Sequence, residues 1–420
     1  MPQTNRILNA PKSAELSLVQ MLKPEVLGNP YPLYAELRDY EPVHWDPFLH
    51  SWLITSYDEC VVALSRYKAS RTPTPEQLQQ MGLSALGPYA QVMLNQMMFM
   101  DAPAHARLRA LCAIAFTPKR IEQLRQHIEA IANDLLDKVS GRSEIDLICD
   151  FAGPFPAIVT TAVLGVPRQD HSYLKTHSTT FAELMGNFDH DPDRLHDSIR
   201  SLLELQRYFQ SVVDEQRQRS QEGLISTMIS AEVDGSRLTD EEIIANVILV
   251  LVGGLEETTN LIGNGMWTLL HHPASLAQLR EDPQIIQPAV EEFLRYEPPT
   301  QFTGRIVPED GELGGKSIRK GDSITIVLAA ANRDPRRFED PDRLNLTRTD
   351  NRHLAFGWAA HYCFGAPLSR MCGHVAFNTL LTRLPGLSLQ TTNPIWRPNV
   401  AMHGLTSLKV TYDATKHTST

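Results

Sequence analysis

Up to about Pro298, the apolar positions of this chain recur with helical spacing. Pro32 to Tyr40 predicts a short helix, and His105 to Phe116 a second, with Leu108, Leu111 and Ile114 on one side and charge on the other. Ile121 to Val139 continues the pattern after Thr117-Pro118. Phe151 to Leu164 is apolar and is stopped by Gly165 and Pro167. Leu195 to Gln221 is long and charged along one face. Thr239, with Glu242 three residues on, makes a capping box that opens the longest helix, through Ile248 and Gly253 to about His271. Glu291 to Tyr296 lies on a helix ended by Pro298-Pro299.

After Thr300 the texture changes. Gln301 to Val307, Ser317 to Ile318 and Ser323 to Leu328 predict short strands punctuated by Gly314-Gly315 and Gly321. Helical pattern returns at Pro367 to Leu384, and Thr406 to Thr411 predicts a closing strand. Helices first and strands later, without βαβ alternation, imply a mainly α, α+β fold rather than a doubly wound sheet. Repeats, low-complexity tracts and Gly/Ser linkers are lacking, so residues 1–420 read as one domain.

Composition narrows the function. The chain has 39 Lys and Arg against 49 Asp and Glu, a net charge of −10, with no long basic run. That argues against a nucleic-acid partner, which needs a basic face. Cys60, Cys112, Cys149, Cys363 and Cys372 are odd in number, scattered and without a CxxC pair, which disfavours a disulfide framework or a structural zinc and fits a reducing compartment. Met1 to Lys23 lacks a signal-peptide pattern, and the longest nearly uncharged apolar stretch, Ile243 to Leu255, is too short to span a bilayer. The expectation is a cytoplasmic monomer with no membrane anchor. Gly311 to Ser317 resembles a phosphate loop, but Asp310 stands where its first glycine belongs. His271-His272, at a helix end, read as capping rather than metal ligation.

The informative segment is His353-Leu354-Ala355-Phe356-Gly357-Trp358-Ala359-Ala360-His361-Tyr362-Cys363-Phe364-Gly365-Ala366. Here a cysteine sits in a loop of small residues and immediately precedes a helix, where free amides and the positive dipole end stabilise a thiolate. Small residues on both sides let a flat, bulky group approach the backbone. A lone axial thiolate on haem iron needs this arrangement.

The segment resembles the haem-binding signature of bacterial cytochromes P450, FGxGxHxCxG, with Phe356, Gly357, His361, Cys363 and Gly365 in place and Ala359 where glycine is usual. If that site needs positive φ, alanine costs about 1 kcal/mol there. The resemblance covers nearly the whole chain. Glu292-Phe293-Leu294-Arg295 matches the ExxR motif, with Arg348 as a candidate third member; alone, such a pair would be a surface ion pair worth about 0.5 kcal/mol. His105 and Arg109 match the family's helix that grips the propionates of haem b (iron protoporphyrin IX); Arg305, in Phe302-Thr303-Gly304-Arg305, stands at the family's third propionate position and His361 at a fourth. The resemblance implies the P450 fold, a helix-rich prism with small sheets and the haem between the long central helix and the Cys363 loop.

In Val252-Gly253-Gly254-Leu255-Glu256-Glu257-Thr258-Thr259-Asn260 the long helix resembles the family's (A/G)Gx(D/E)T stretch. Counted without gaps, Glu256 is the acid and Glu257 replaces the threonine whose hydroxyl helps deliver protons to oxygen. A competing register makes Glu257-Thr258 the acid–alcohol pair. Facing an apolar pocket, Glu257 should have a raised pKa and serve as a distal acid/base, which also suits heterolysis of hydrogen peroxide. Binding a cationic or hydroxylated substrate is a further role open to it. Paired glycines cost a helix about 2 kcal/mol, a cost that opening the helix beside a ligand would justify.

The resemblance implies haem-thiolate monooxygenation — hydroxylation, dealkylation or epoxidation — of a small-to-medium apolar molecule, in secondary metabolism. Electrons would come from a ferredoxin-type donor with its NAD(P)H reductase, docking near Arg109, Lys119, Arg120 and Arg370. Met93, Met97, Leu249, Gly253, Thr300, Phe302 and Met402 are the candidate substrate-facing residues, although the methionine stripe equally reads as local core. A peroxygenase and a non-catalytic haem or ligand carrier are the rival readings.

Overall fold

A computed structural model describes residues 16–114, 116–185, 192–233 and 235–414. Its organising element is the helix Asp240–His271, capped as the sequence predicts: Glu242 N donates to Thr239 Oγ1 at 3.2 Å, and Thr239 N to Glu242 Oε2 at 3.0 Å. A box of this kind is worth about 1 kcal/mol. Around this helix pack Pro154–Leu164, His171–Ala182, Pro192–Gln218, Ile286–Tyr296 and Ala366–Arg383. Apolar faces from all of them merge in the largest core cluster. His271 and His272 do close the long helix, each ring Nδ1 reaching the carbonyl four residues earlier.

The expected order of helices first and strands later is corrected. Val43–Asp46 and Ser51–Ile54 form an early antiparallel hairpin, and its second strand pairs in parallel with Ser323–Ile326, Trp52 opposite Ile324. Thr303–Ile306 adds on the far side, antiparallel, with Arg305 opposite Ile324. The strand expected to reach Leu328 stops at Ile326, because Leu328–Ala331 turns into a short helix. A three-stranded sheet (Glu144–Asp146, Lys409–Thr411, Ser388–Leu389) and the hairpin Gly311–Leu313 with Lys316–Ile318 complete the β structure.

Two expected helices are divided. Ile121 to Val139 breaks at Leu124 into Pro118–Gln123 and Arg125–Asp137. The helix expected from Phe151 is preceded by a π-type turn, Leu147–Ala152, capped by Asp146, and starts afresh at Pro154, which lacks an N–H to continue the earlier turn. Residues 147–164 form the one helical window among the described residues long and apolar enough to cross a membrane, longer than the 243–255 stretch; most of that span is buried inside the protein.

Glu292 and Arg295 are not a surface pair. Both are fully buried, joined by two 2.8 Å hydrogen bonds, and Arg348 Nε approaches Glu292 Oε2 at 3.2 Å. Arg295 also donates to the carbonyls of Asn332 (3.0 Å) and Pro341 (2.8 Å), and Asn345 N to Glu292 (2.9 Å). The pair thereby fastens the long meander before the cysteine loop to the helix Ile286–Tyr296.

Candidate functional site

The loop 353–365 is held at both ends. Leu354 N donates to Asn332 Oδ1 at 2.7 Å, and Cys363 N to the Phe356 carbonyl at 2.8 Å, closing the loop on itself. Two positions inside it take left-handed backbone, Gly357 at φ 72° and Ala359 at φ 54°. Glycine takes the first without strain. At the second the conformation is the one glycine favours, and the alanine accepts it at a cost of about 1 kcal/mol. Arg370 braces the loop from below. It makes bonds of 2.7 and 2.8 Å to Glu291, donates to Tyr362 Oη at 3.1 Å and stacks 4.6 Å from the Phe356 ring. Burial alone would raise the Glu291 carboxyl, but hydrogen bonds from Arg370 and His353 prevail and hold it at about 2.

Cys363 keeps accessible surface although dense protein surrounds its thiol, so the residue borders an interior space. Amides of Gly365 and Ala366 point at it and favour the thiolate. Burial is the larger influence and pushes the thiol up to about 11. The amides therefore do not hold a thiolate by themselves, contrary to the expectation from the helix start. A metal cation does, since a coordinating thiol is deprotonated outright.

Beside the loop lies a cluster of hydrogen-bond donors. The His105 and His361 rings sit 4.0 Å apart, and Arg109 Nη2 donates to the Tyr362 carbonyl at 2.6 Å. Arg305 Nη1 donates to the Gly304 carbonyl at 2.7 Å, while His105 Nε2 and Arg305 Nε are buried without a partner. Burial, then the neighbouring His105 and Arg305, lower His361 to about 4; burial lowers Arg305 to about 10. Asp101 is the one carboxylate among the described residues that offsets charge on His105, Arg305 and His361. Two further carboxylates would satisfy the orphaned donors, which is what a dicarboxylate macrocycle lying against Cys363 brings. The donor set fits haem.

Opposite the loop runs the long helix. A Cβ at Gly253 would meet only Glu257 Oε2, at 4.0 Å, so this glycine opens onto the interior space, as proposed from the sequence. Gly254 does something else: a Cβ there would stand 2.7 Å from Thr160 Oγ1, so its glycine lets Pro154–Leu164 pack closely. Glu257 lies one turn after Gly253 on the same face. Its Oε2 is buried with no partner, and burial raises its carboxyl to about 7. Glu256 points elsewhere, gripped by Arg397 and by Thr179 Oγ1 at 2.6 Å. Thr258 is buried on the face shared with Gly254, so the geometry supports the register in which Glu257 takes the threonine's place.

The candidate substrate positions divide. Leu249 is part-exposed and Gly253 exposed to the interior space. Met93 and Met97 are core side chains, and Met97 N is tied to Asn246 Oδ1 of the long helix at 2.9 Å. Thr300 bridges Met402 beside buried Phe302. Among the cations suggested for a redox partner, Lys119 and Arg120 are exposed, whereas Arg370 is committed to Glu291. Sequence reasoning missed Arg397, Thr179 and Glu291, whose partners lie 141, 77 and 79 residues away along the chain.

The cytochrome P450 family model matches residues 78–395. The chain is a cytochrome P450. It is 36% identical over 396 residues to the polyketide biosynthesis cytochrome P450 PksS of Bacillus subtilis (strain 168), covering 91% of this chain and 95% of that protein. The crystal structure of P450BioI in complex with hexadec-9Z-enoic acid ligated acyl carrier protein superposes with a TM-score of 0.86 at 35% identity, over 93% of this chain and 99% of that one. CYP109E1 from Bacillus megaterium in complex with testosterone gives 0.83 at 31% identity, over 93% and 100%. This P450 is thus an oxygen-incorporating oxidoreductase of a haem-dependent family, with that family's helix-rich fold.

Proposed function

We propose that this P450 is a monooxygenase that hydroxylates, dealkylates or epoxidises an apolar organic molecule, using haem b and electrons from a ferredoxin-type donor with its NAD(P)H reductase. The carrying observation is Cys363, bordering an interior space with two amides aimed at its sulfur and Gly253 and Glu257 across that space. When bound, haem supplies oxygen activation at an iron whose thiolate donor favours O–O cleavage. His105, Arg109, Arg305 and His361 would hold its carboxylates. Phe356, Gly357 and Gly365 would shape the loop that packs against it. Polyketide, fatty acyl and steroid names among the relatives support an apolar substrate without selecting one.

Proton handling falls to Glu257. A carboxyl near 7, with one oxygen unpartnered, is present in both protonation states at neutral pH and donates and recovers a proton without a relay. Glu256, bound by Arg397 and Thr179, holds its own position and is turned away from the space that Glu257 faces. The same observation favours a second reading, turnover with hydrogen peroxide alone, in which Glu257 moves a proton between the two peroxide oxygens.

Reduction under carbon monoxide tests the first reading: the Soret band must move to the long wavelength that a thiolate donor gives, and Cys363→His must abolish that position. A histidine-type band in the unaltered protein refutes it. Glu257→Ala separates the proton roles, because unchanged product yield with both dioxygen and peroxide removes Glu257 from either chemistry.

A further inference from the structure

One guanidinium near the site lies outside the set that fits the cofactor and has no ion-pair partner among the described residues. Asp101 anchors the segment after Tyr67, accepting from Ala69 N at 2.8 Å and Ser70 N at 3.3 Å. Lys68 bridges Ile306, so the segment runs along the edge of Thr303–Ile306 and brings Arg71 beside Gly304. Arg71 Nε lies 3.1 Å from where a Gly304 Cβ would be, and a side chain there would push the guanidinium away. The guanidinium stacks 4.5 Å over the Phe99 ring and donates to the Ala69 carbonyl at 3.0 Å. It is desolvated, yet Arg71 keeps accessible surface. That combination, shared with Cys363, marks a side chain facing the interior space.

Among the described residues no carboxylate comes within ion-pair reach of Arg71, and its nearest charged influence is a second cation, Arg305. Burial and Arg305 lower it to about 10, which leaves it charged at neutral pH. Tyr89 acts the other way. Its ring packs on Phe181 at 5.7 Å, and its hydroxyl makes no hydrogen bond among the described residues. A desolvated, unpaired guanidinium is costly, and folds retain one where an anion pairs with it. Four other residues, His105, Arg109, Arg305 and His361, already fit the two carboxylates that haem would bring.

We infer that Arg71, assisted by the Tyr89 hydroxyl, binds the carboxylate of the substrate, which is an apolar monocarboxylic acid whose hydrocarbon part fills the space beside Leu249 and Gly253. Guanidinium and carboxylate match as a two-point pair, and the phenol supplies a third donor. The inference deepens the monooxygenase reading and rests on it for the fate of the acid, though not for its binding.

The test uses haem-loaded protein, titrated by calorimetry and by the spin-state change with decanoic, tetradecanoic and hexadecanoic acids and with their methyl esters. At least one acid should bind about 30-fold or more tightly than its ester, the scale expected for a desolvated charge pair. Arg71→Met, which keeps the stem on Phe99, should erase that gap and leave ester affinity unchanged; Arg71→Lys should keep part of it, and Tyr89→Phe should narrow it. Equal affinity for acid and ester, absence of binding by every acid, or a gap that survives Arg71→Met overturns the inference. If Arg71 instead serves a haem carboxylate, Arg71→Met weakens haem retention while the acid–ester gap persists, which also overturns it. A histidine-type carbonyl band with the gap intact would sink the monooxygenase reading and leave Arg71's role standing.

Discussion

Glu257→Gln should stabilise this P450, and by an amount that depends on pH. Glutamine keeps the shape of the carboxylic acid and removes its ionisation. In the folded protein the Glu257 carboxyl is raised from 4.5 to about 7 by burial, so the native state holds its proton over a range where the unfolded chain has lost it. The sign follows: a raised carboxyl costs no stability below the unfolded value, costs progressively more as pH rises from 4.5 to 7, and costs a constant amount above. A displacement of that size corresponds to about 3 kcal/mol at pH 8 and less than about 1 kcal/mol at pH 5. Any further drying when the macrocycle is bound moves the carboxyl in the same direction.

Urea unfolding of haem-loaded protein, followed by tryptophan fluorescence at pH 5, 6, 7 and 8, reads this directly, with the slope of each curve checked for constancy. Near parity is expected at about pH 5, with Glu257→Gln ahead by about 3 kcal/mol at about pH 8. A gap of equal size at both ends would show that glutamine acts through packing. A gap of the opposite sign would show Glu257 ionised and compensated, and with it the acid/base assignment would fall.

Three further outcomes follow from the same geometry. Ala359→Gly should gain up to about 1 kcal/mol, seen as a higher midpoint in thermal unfolding, since φ 54° suits glycine better than alanine. Glu292→Ala should lose about 3–5 kcal/mol or fail to accumulate as folded protein, because it leaves the Arg295 guanidinium buried and unpaired; a loss under 1 kcal/mol in urea unfolding would contradict the burial. Glu291, held at about 2 in the folded state, contributes stability that is full above pH 4.5 and is lost as pH falls toward 2. Arg370→Met should remove on the order of 2 kcal/mol at pH 7 and flatten that acid limb, measurable as circular dichroism loss against pH.

What the sequence disclosed was mostly what short stretches decide. The capping box at Thr239 and Glu242, the left-handed backbone at Ala359 and the Glu292–Arg295 contact each fit within a few consecutive residues, and each appears in the structure; the Cys363 loop precedes its helix as expected, but its amides do not by themselves hold a thiolate. The hairpin 43–54 was invisible because its stability comes from Trp52 pairing beside Ile324, a partner no local window contains. The break at Leu124 likewise interrupts a pattern whose apolar spacing runs on unchanged. Gly253 and Gly254 show the limit sharply: identical letters, adjacent positions, one opening an interior space and one admitting Thr160. Arg71 carried no signal because nothing about an arginine in a loop announces that Lys68 will bridge Ile306 and turn it inward.

The charges around the interior space share one logic. Cys363 is pushed up to about 11, His361 down to about 4 and Arg305 down to about 10, each away from its charged form and each chiefly by burial. The chain therefore presents a thiol that lacks a cation on one side and buried donors, His105 Nε2 and Arg305 Nε, that lack acceptors on the other. A metal bound within a dicarboxylate ring repays both deficits together, so haem binding and folding draw on the same free energy. Arg71 lies beside this set: it faces the same space, lacks a carboxylate partner among the described residues, and would be left over if His105, Arg109, Arg305 and His361 took the ring carboxylates. A charge left over after the cofactor is accounted for is what a substrate would have to match.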